Sequence, residues 1–133
     1  MKTLRTLFLV GLIFTLTACA TTSSSPTDSS SDYQGLVGKW VRTEGGSQLF
    51  IDRTADGSLK VGYFNPQWYR WVTIAGFSVK KQMWGVLVTV KLHDRGYPGN
   101  YYELSLQGSR LVGTYHMLGS ESKALAVTFN KES

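Results

Sequence analysis

Cysteine is nearly absent from this chain. Cys19 stands alone, so the chain has no pair for an internal disulfide, and an exported domain of this kind relies on its core. Histidine is almost as scarce: His93 and His116 fall on different expected strands with no Asp or Glu at ligand spacing, which gives a zinc site nothing to build on. No Gly-x-Ser-x-Gly elbow and no phosphate loop occurs. Basic residues never form a block, and Lys80-Lys81 is the one adjacent pair. The formal charge of +5 is therefore scattered. It speaks for solubility and a mild attraction to anionic head groups, and against nucleic acid as a partner. Nor does the apolar run at residues 7–14 suffice to cross a bilayer, which takes about 20 apolar residues; Thr15 and Thr17 interrupt it.

What is present begins with an export signal. Lys2 and Arg5 precede the apolar run, and small residues follow it up to Cys19, the layout of a cleaved secretory segment. Leu16-Thr17-Ala18-Cys19 resembles the lipobox of bacterial lipoproteins. The resemblance implies that Cys19 receives a diacylglyceryl group, that residues 1–18 are cut away, and that the new amino group is acylated. Cys19 is then the lipidation site and the anchor. Ala20, where retained lipoproteins carry Asp, implies the cell outer membrane, with the domain facing the periplasm. Each acyl CH₂ contributes about 0.8 kcal/mol of membrane affinity, so several chains hold firmly. Loss of Lys2 and Arg5 from the 14 basic residues leaves 12 against 9 acidic, net +3.

Residues 20–32 are rich in Ser and Thr and hold no apolar side chain larger than Ala. Such a stretch buries too little surface to offset its ordering entropy, which predicts a disordered tether over residues 19–32. Its thirteen residues span roughly 20 Å. A glycosylated stalk is the alternative. Residues 33–133 then form one domain of common size with one core.

Along that domain, apolar and polar side chains alternate in eight segments, 38–44, 48–53, 59–65, 68–74, 83–93, 101–107, 110–117 and 123–131. Turn signals divide them, among them Gly45-Gly46, Asp56-Gly57, Ala75-Gly76, Tyr97-Pro98-Gly99-Asn100 and Gly108-Ser109. No window shows a helical period. The expectation is an all-β, eight-stranded antiparallel up-and-down β-barrel, closed so that no edge remains. Trp84, Val86, Val88, Val90 and Leu92 mark its inward face, as do Tyr102, Leu104 and Leu106, and Leu125, Val127 and Phe129. A membrane-spanning barrel alternates in the same way, but it needs strands of about 9 to 11 residues and two aromatic girdles. Short strands and clustered aromatics favour a water-soluble barrel with an apolar interior.

Gly38-Lys39-Trp40, Gly46-Ser47-Gln48-Leu49-Phe50-Ile51 and Ala55-Asp56-Gly57-Ser58-Leu59-Lys60-Val61-Gly62-Tyr63 resemble the first three strands of avidin-like barrels, and the Gly-x-Trp opening is shared with lipocalins. The resemblance implies a lipocalin- or avidin-like barrel. In its avidin form it also implies biotin binding, with Ser47 and Tyr63 where that family places hydroxyls on the ureido oxygen. Arg42 or Thr43 occupies the neighbouring Asn position of the family. Tyr63-Phe64-Asn65-Pro66, the run from Asp94 through Gly96-Tyr97-Pro98-Gly99, and Leu111-Val112-Gly113-Thr114-Tyr115 look like a family of small uncharacterised proteobacterial proteins, which implies no function.

Two stretches hold candidate binding residues. His93, Asp94, Arg95 and Tyr97 form either a purely structural hairpin or a polar lip around a ligand entrance. Tyr63, Trp68, Arg70 and Trp71 belong to a run dense in aromatics and Arg, which are favoured at interface hot spots and in pockets; Trp40 joins them as a further candidate. Alternate strand residues face opposite ways, so about half of that run is expected to fill the core, with Trp68 and Arg70 on one side and Tyr69 and Trp71 on the other. Asp52 and Asp56 flank a turn and read as caps in preference to a glycosidase pair. No catalytic residue, metal or cofactor is indicated. The expected function is non-enzymatic: a periplasmic lipoprotein, anchored to the outer membrane through Cys19, that binds a small apolar or amphipathic ligand in or at the mouth of its barrel. A packed barrel whose exterior binds an envelope protein or glycan is the alternative, and biotin binding a remote one.

Overall fold

The computed structural model describes residues 33–119 and 121–133. The signal segment 1–18, Cys19 and the tether 20–32 lie outside the described residues. A single 3-10 turn, Gln34–Leu36, leads into nine strands: β1 (Gly38–Arg42), β2 (Gln48–Arg53), β3 (Leu59–Asn65), β4 (Arg70–Val72), β5 (Ile74–Gln82), β6 (Gly85–Asp94), β7 (Tyr97–Gln107), β8 (Arg110–Met117) and β9 (Lys123–Lys131). Every pairing is antiparallel, and β9 returns to β1 with Trp40 opposite Lys131 and Arg42 opposite Phe129. The architecture is all-β, a nearly closed antiparallel barrel of nine strands where eight were expected.

The additional strand is β5. Ala75-Gly76, expected to turn the chain, lies inside it: Ile74 pairs with Leu92 and Gly76 with Lys91, which leaves Ala75 bulged. A bulge advances the side-chain phase by one. Ile74, Phe77 and Val79 all pack on the core, yet no period of two connects them across the irregularity. The stretch from Tyr97 to Asn100, also expected as a turn, opens β7 instead. The reversal is Arg95-Gly96, between the paired Asp94 and Tyr97, and Gly96 supplies the left-handed φ of 91°.

β4 and β5 are consecutive through Thr73 but pair with different neighbours, β4 with β3 and β5 with β6. The ring is held together at Thr73, whose carbonyl accepts the His93 amide at 2.9 Å. Beyond that point β3 and β5 run side by side unpaired. Leu59, Phe77, Val79 and Tyr33 line the resulting cleft of about 270 Å³.

Trp40, Ile51, Val90, Leu104, Leu111 and Phe129 are fully buried in the barrel centre, each burial contributing about 1.5–3 kcal/mol. The N-terminal pole holds the β2–β3, β5–β6 and β7–β8 turns and is plugged by the 3-10 turn. Leu36 there is fully buried, and its carbonyl accepts the Trp40 indole N–H at 2.8 Å. The opposite pole is the mouth, where β1–β2, β3–β4, β6–β7 and β8–β9 connect. Trp84 and Leu125 continue the inward phase but lie past the packed layers, at opposite poles, and are 63% and 43% exposed.

Candidate functional site

At the mouth, four strands each add one further inward residue beyond the apolar core, and all four are polar. Arg42 follows Trp40 by two positions, Asn65 follows Tyr63, Asn100 precedes Tyr102, and Tyr115 stands four beyond Leu111. Alternation in a strand carries these side chains to the same face as the core. Three of them, Arg42, Asn65 and Tyr115, line a pocket of about 290 Å³ with Glu44, Ser47, Tyr63, Gln67 and Tyr97, and Asn100 supports it through Tyr115.

The floor is aromatic. Tyr102 stacks on Tyr115 at 4.4 Å between ring centroids and sets its edge on Phe129 at 5.4 Å, which seats the pocket on the apolar core. Tyr63 and Tyr102 share a hydroxyl–hydroxyl hydrogen bond of 3.0 Å, and Arg42 Nη1 donates to Tyr102 at 3.3 Å. Asn65 and Asn100 are oriented by backbone: the Gln67 amide donates to Asn65 Oδ1 at 2.9 Å, and the Leu118 amide to Asn100 Oδ1 at 2.9 Å. Their NH₂ groups are thereby turned to donate to Tyr97 at 2.6 Å and Tyr115 at 2.9 Å. Each of those hydroxyls accepts, so its own proton remains to be given, and no acceptor for it is present among the described residues.

Arg42 completes a donor-rich site. Its side chain is 16% exposed, its guanidinium lies 5.5 Å from the Tyr115 ring centre, and its Nε is buried without a hydrogen-bond partner. Glu44, 3.8 Å from Nε, is too distant to accept a hydrogen bond. A buried donor left unmade costs about 1–3 kcal/mol, which a ligand acceptor recovers. Burial pushes the Tyr63 phenol well above its ordinary pKa, reinforced by the neighbouring Tyr102, while Ser47 acts in the opposite sense. Burial likewise raises Tyr102, against the hydrogen bond from Tyr63 and the charge of Arg42. Tyr115 is pushed up to about 12 by burial, against its bond from Asn100. At neutral pH all three are neutral phenols, donors instead of bases.

One side of the mouth forms a lip. Arg70 Nη2 donates to the Arg95 carbonyl at 2.7 Å, and Nη1 sits 3.5 Å from Asp94 Oδ1, which also accepts the Arg95 amide. The Arg70 guanidinium lies 5.0 Å from the Trp68 ring centre, and Trp68 meets Tyr97 edge-on at 5.4 Å. Gly96 lets Trp68 approach: a Cβ there would stand 2.8 Å from the indole.

Of the residues expected from sequence, Ser47, Tyr63 and Tyr97 therefore meet in the pocket, and Trp68, Arg70, Asp94 and Arg95 in the lip. Trp40 is fully buried in the core, and His93 is exposed beside the lip. Trp71 stands outside the barrel, over Gly62, against Phe50 and Phe64 at 5.2 and 5.4 Å. The expectation that half of the aromatic run fills the core is corrected, since Trp68, Tyr69 and Trp71 are all exposed. Trp68 and Tyr69 stand in the β3–β4 connection at the mouth and Trp71 on the outer face over Gly62, so Tyr63 is the aromatic of that run that reaches the core. Arg42, Glu44, Asn65, Gln67 and Tyr115 are the pocket residues that sequence reasoning missed, with Asn100 and Tyr102 behind them as supports. Among the described residues, no group of three or more His, Cys, Asp or Glu is placed to hold a metal ion. Comparison with family models, curated proteins and solved structures found no match.

Proposed function

We propose that this protein is a non-enzymatic lipoprotein, anchored to the outer membrane through Cys19, whose lipocalin- or avidin-like barrel binds a small amphipathic ligand at its mouth. The observation that carries the binding reading is the buried Arg42 Nε without a hydrogen-bond partner. Around it, the unused hydroxyl protons of Tyr97 and Tyr115 add two further donors. Glu44 of the same lining stands 3.8 Å from Arg42 Nε and offsets its charge, so it is the unused donors of Arg42, Tyr97 and Tyr115 that select an acceptor-rich head such as a carboxylate. About 290 Å³ is at the lower limit of small-molecule pockets and suits a head group, with any apolar tail lying over Trp68 and the lip. The solid barrel centre favours the mouth over a deeper site.

Native mass spectrometry of protein taken from its own envelope should show a co-purifying mass. With dodecanoate as probe, titration followed by tyrosine and tryptophan fluorescence should saturate, and dodecanol should bind far more weakly. Arg42→Gln should weaken dodecanoate binding about ten- to a hundredfold, the worth of a charge-assisted hydrogen bond of ~1.5–3 kcal/mol, with the melting temperature little changed. Equal binding of acid and alcohol would remove the anionic head from the proposal. Anchoring is tested apart from this: Cys19→Ser should move the protein out of its normal membrane fraction, and globomycin should leave the signal segment uncleaved.

A second reading, an exterior surface for an envelope protein or glycan, is favoured by the ledge of Phe50, Phe64, Tyr69 and Trp71. Tyr69 is 86% exposed and held at a φ of 49°, a left-handed geometry unusual for a bulky side chain. Loss of crosslinking in Trp71→Ala with an unchanged dodecanoate titration would support that reading over the first.

A further inference from the structure

The β5–β6 hairpin ends at the N-terminal pole in a two-residue turn, Met83-Trp84, between the paired Gln82 and Gly85. Turns of this length favour Asn, Asp or Gly at their centre. The other two-residue tip at this pole, Gly108-Ser109, complies, and the longer β2–β3 turn carries Asp56-Gly57. Met83 is wholly exposed, Trp84 is 63% exposed, and neither joins the core cluster. Neither the turn geometry nor the core accounts for two large apolar side chains here.

Position and charge indicate what covers them. The described chain begins at Tyr33, which lines the cleft beside Phe77 and Val79 of the same hairpin, so the preceding residues join the barrel at this pole. An acylated Cys19 on a thirteen-residue tether would hold the pole within roughly 20 Å of a bilayer. Basic residues also predominate here: Lys39, Arg53, Lys60, Lys80, Lys81, Arg110 and Lys131 stand against Asp52, Asp56 and Glu132, the last paired with Lys39. At the mouth the balance is closer: Arg42, Arg70, Arg95 and Lys123 stand against Glu44, Asp94 and Glu121, and each of these acids faces a basic partner. Trp is the side chain that settles at head-group depth, and basic neighbours draw it to anionic lipid.

We infer that the Met83-Trp84 tip dips into the head-group layer of a bilayer containing anionic lipid, so that the barrel stands on its N-terminal pole with the mouth turned away from the membrane. The inference rests on the acylation of Cys19 proposed above. The full chain, purified with its native acyl groups, is returned to vesicles of phosphatidylethanolamine and phosphatidylglycerol, and the mass of the mature chain reports the acylation independently. A polarity-sensitive fluorophore on Met83→Cys should shift to the blue and be quenched by lipids brominated high in the acyl chain. The same fluorophore on Glu44→Cys, at the mouth, should do neither. Trp84→Cys provides a second site should circular dichroism show Met83→Cys misfolded. In acylated protein, a label at either tip position that is as wet as the one at position 44 overturns the inference and leaves the anchor standing. Quenching that persists undiminished when phosphatidylcholine replaces phosphatidylglycerol overturns its anionic part. A mature chain without acyl mass removes the anchor and the inference together.

Discussion

At the residue scale, titration divides the molecule between its poles. Tyr115 has its pKa raised to about 12 because burial disfavours the phenolate, and Tyr63 and Tyr102 are raised for the same reason. A raised folded pKa gives stability that is complete below the unfolded value near 10 and lost as pH climbs through the folded one. Stability should therefore fall from about pH 10 towards 12, and tyrosinate absorbance from these three rings should appear only together with loss of the strand signal in circular dichroism. Early tyrosinate in folded protein would mean the floor is wetter than its packing implies. Asp56 shifts in the other sense, held down to about 2 by the Thr54 hydroxyl and then by the Ser58 amide. Its depressed pKa stabilises above the unfolded value near 4 and fades as pH falls towards 2. Asp56→Asn should flatten the melting temperature across that acid window and leave the alkaline limb intact. The pocket residues were themselves legible in principle. Trp40, Tyr63 and Tyr102 mark the inward phase, and stepping two positions towards the mouth reaches Arg42, Asn65 and Asn100. An inward polar residue at a strand end is a stronger sign of a pocket than an aromatic on an exposed turn.

At the scale of elements, close backbone approach governs β7 and β8. A Cβ on Gly113 would stand 1.9 Å from the Glu103 carbonyl oxygen, so Gly113→Ala has to push the two strands apart. Urea denaturation should show a loss of about 1–3 kcal/mol, the usual cost of overpacking. Gly57→Ala, in a turn with open space around the added methyl, should cost less and only through its φ of 88°. Strands with unbroken alternation could be read directly, and Gln48–Arg53, Leu59–Asn65, Arg110–Met117 and Lys123–Lys131 have the bounds their patterns suggest. β5 could not, because the bulge at Ala75 splits its pattern and Gly76 imitates a turn. Nor could the start of β7, where Pro98 pairs opposite His93 and Gly99 falls in the irregular pairing that follows. In both places tertiary pairing overrides local turn propensity.

At the scale of the whole molecule, the barrel separates its tasks by height: a pole plugged by Leu36 and rimmed with basic residues, a packed centre and a polar mouth. The unpaired reach between β3 and β5 interrupts an otherwise continuous ring of strands. Cohesion is uneven in such a ring, and the least bonded joint opens first. Amide hydrogen exchange should thus be fastest along the free edge of β5 between Gly76 and Gln82, and slowest in β7 and β8, which are flanked on both sides; uniform protection around the ring would contradict this. The same joint is where two copies would zip together in concentrated solution, since bare strand edges template aggregation, and Lys80 on that edge acts as a charged gatekeeper against it.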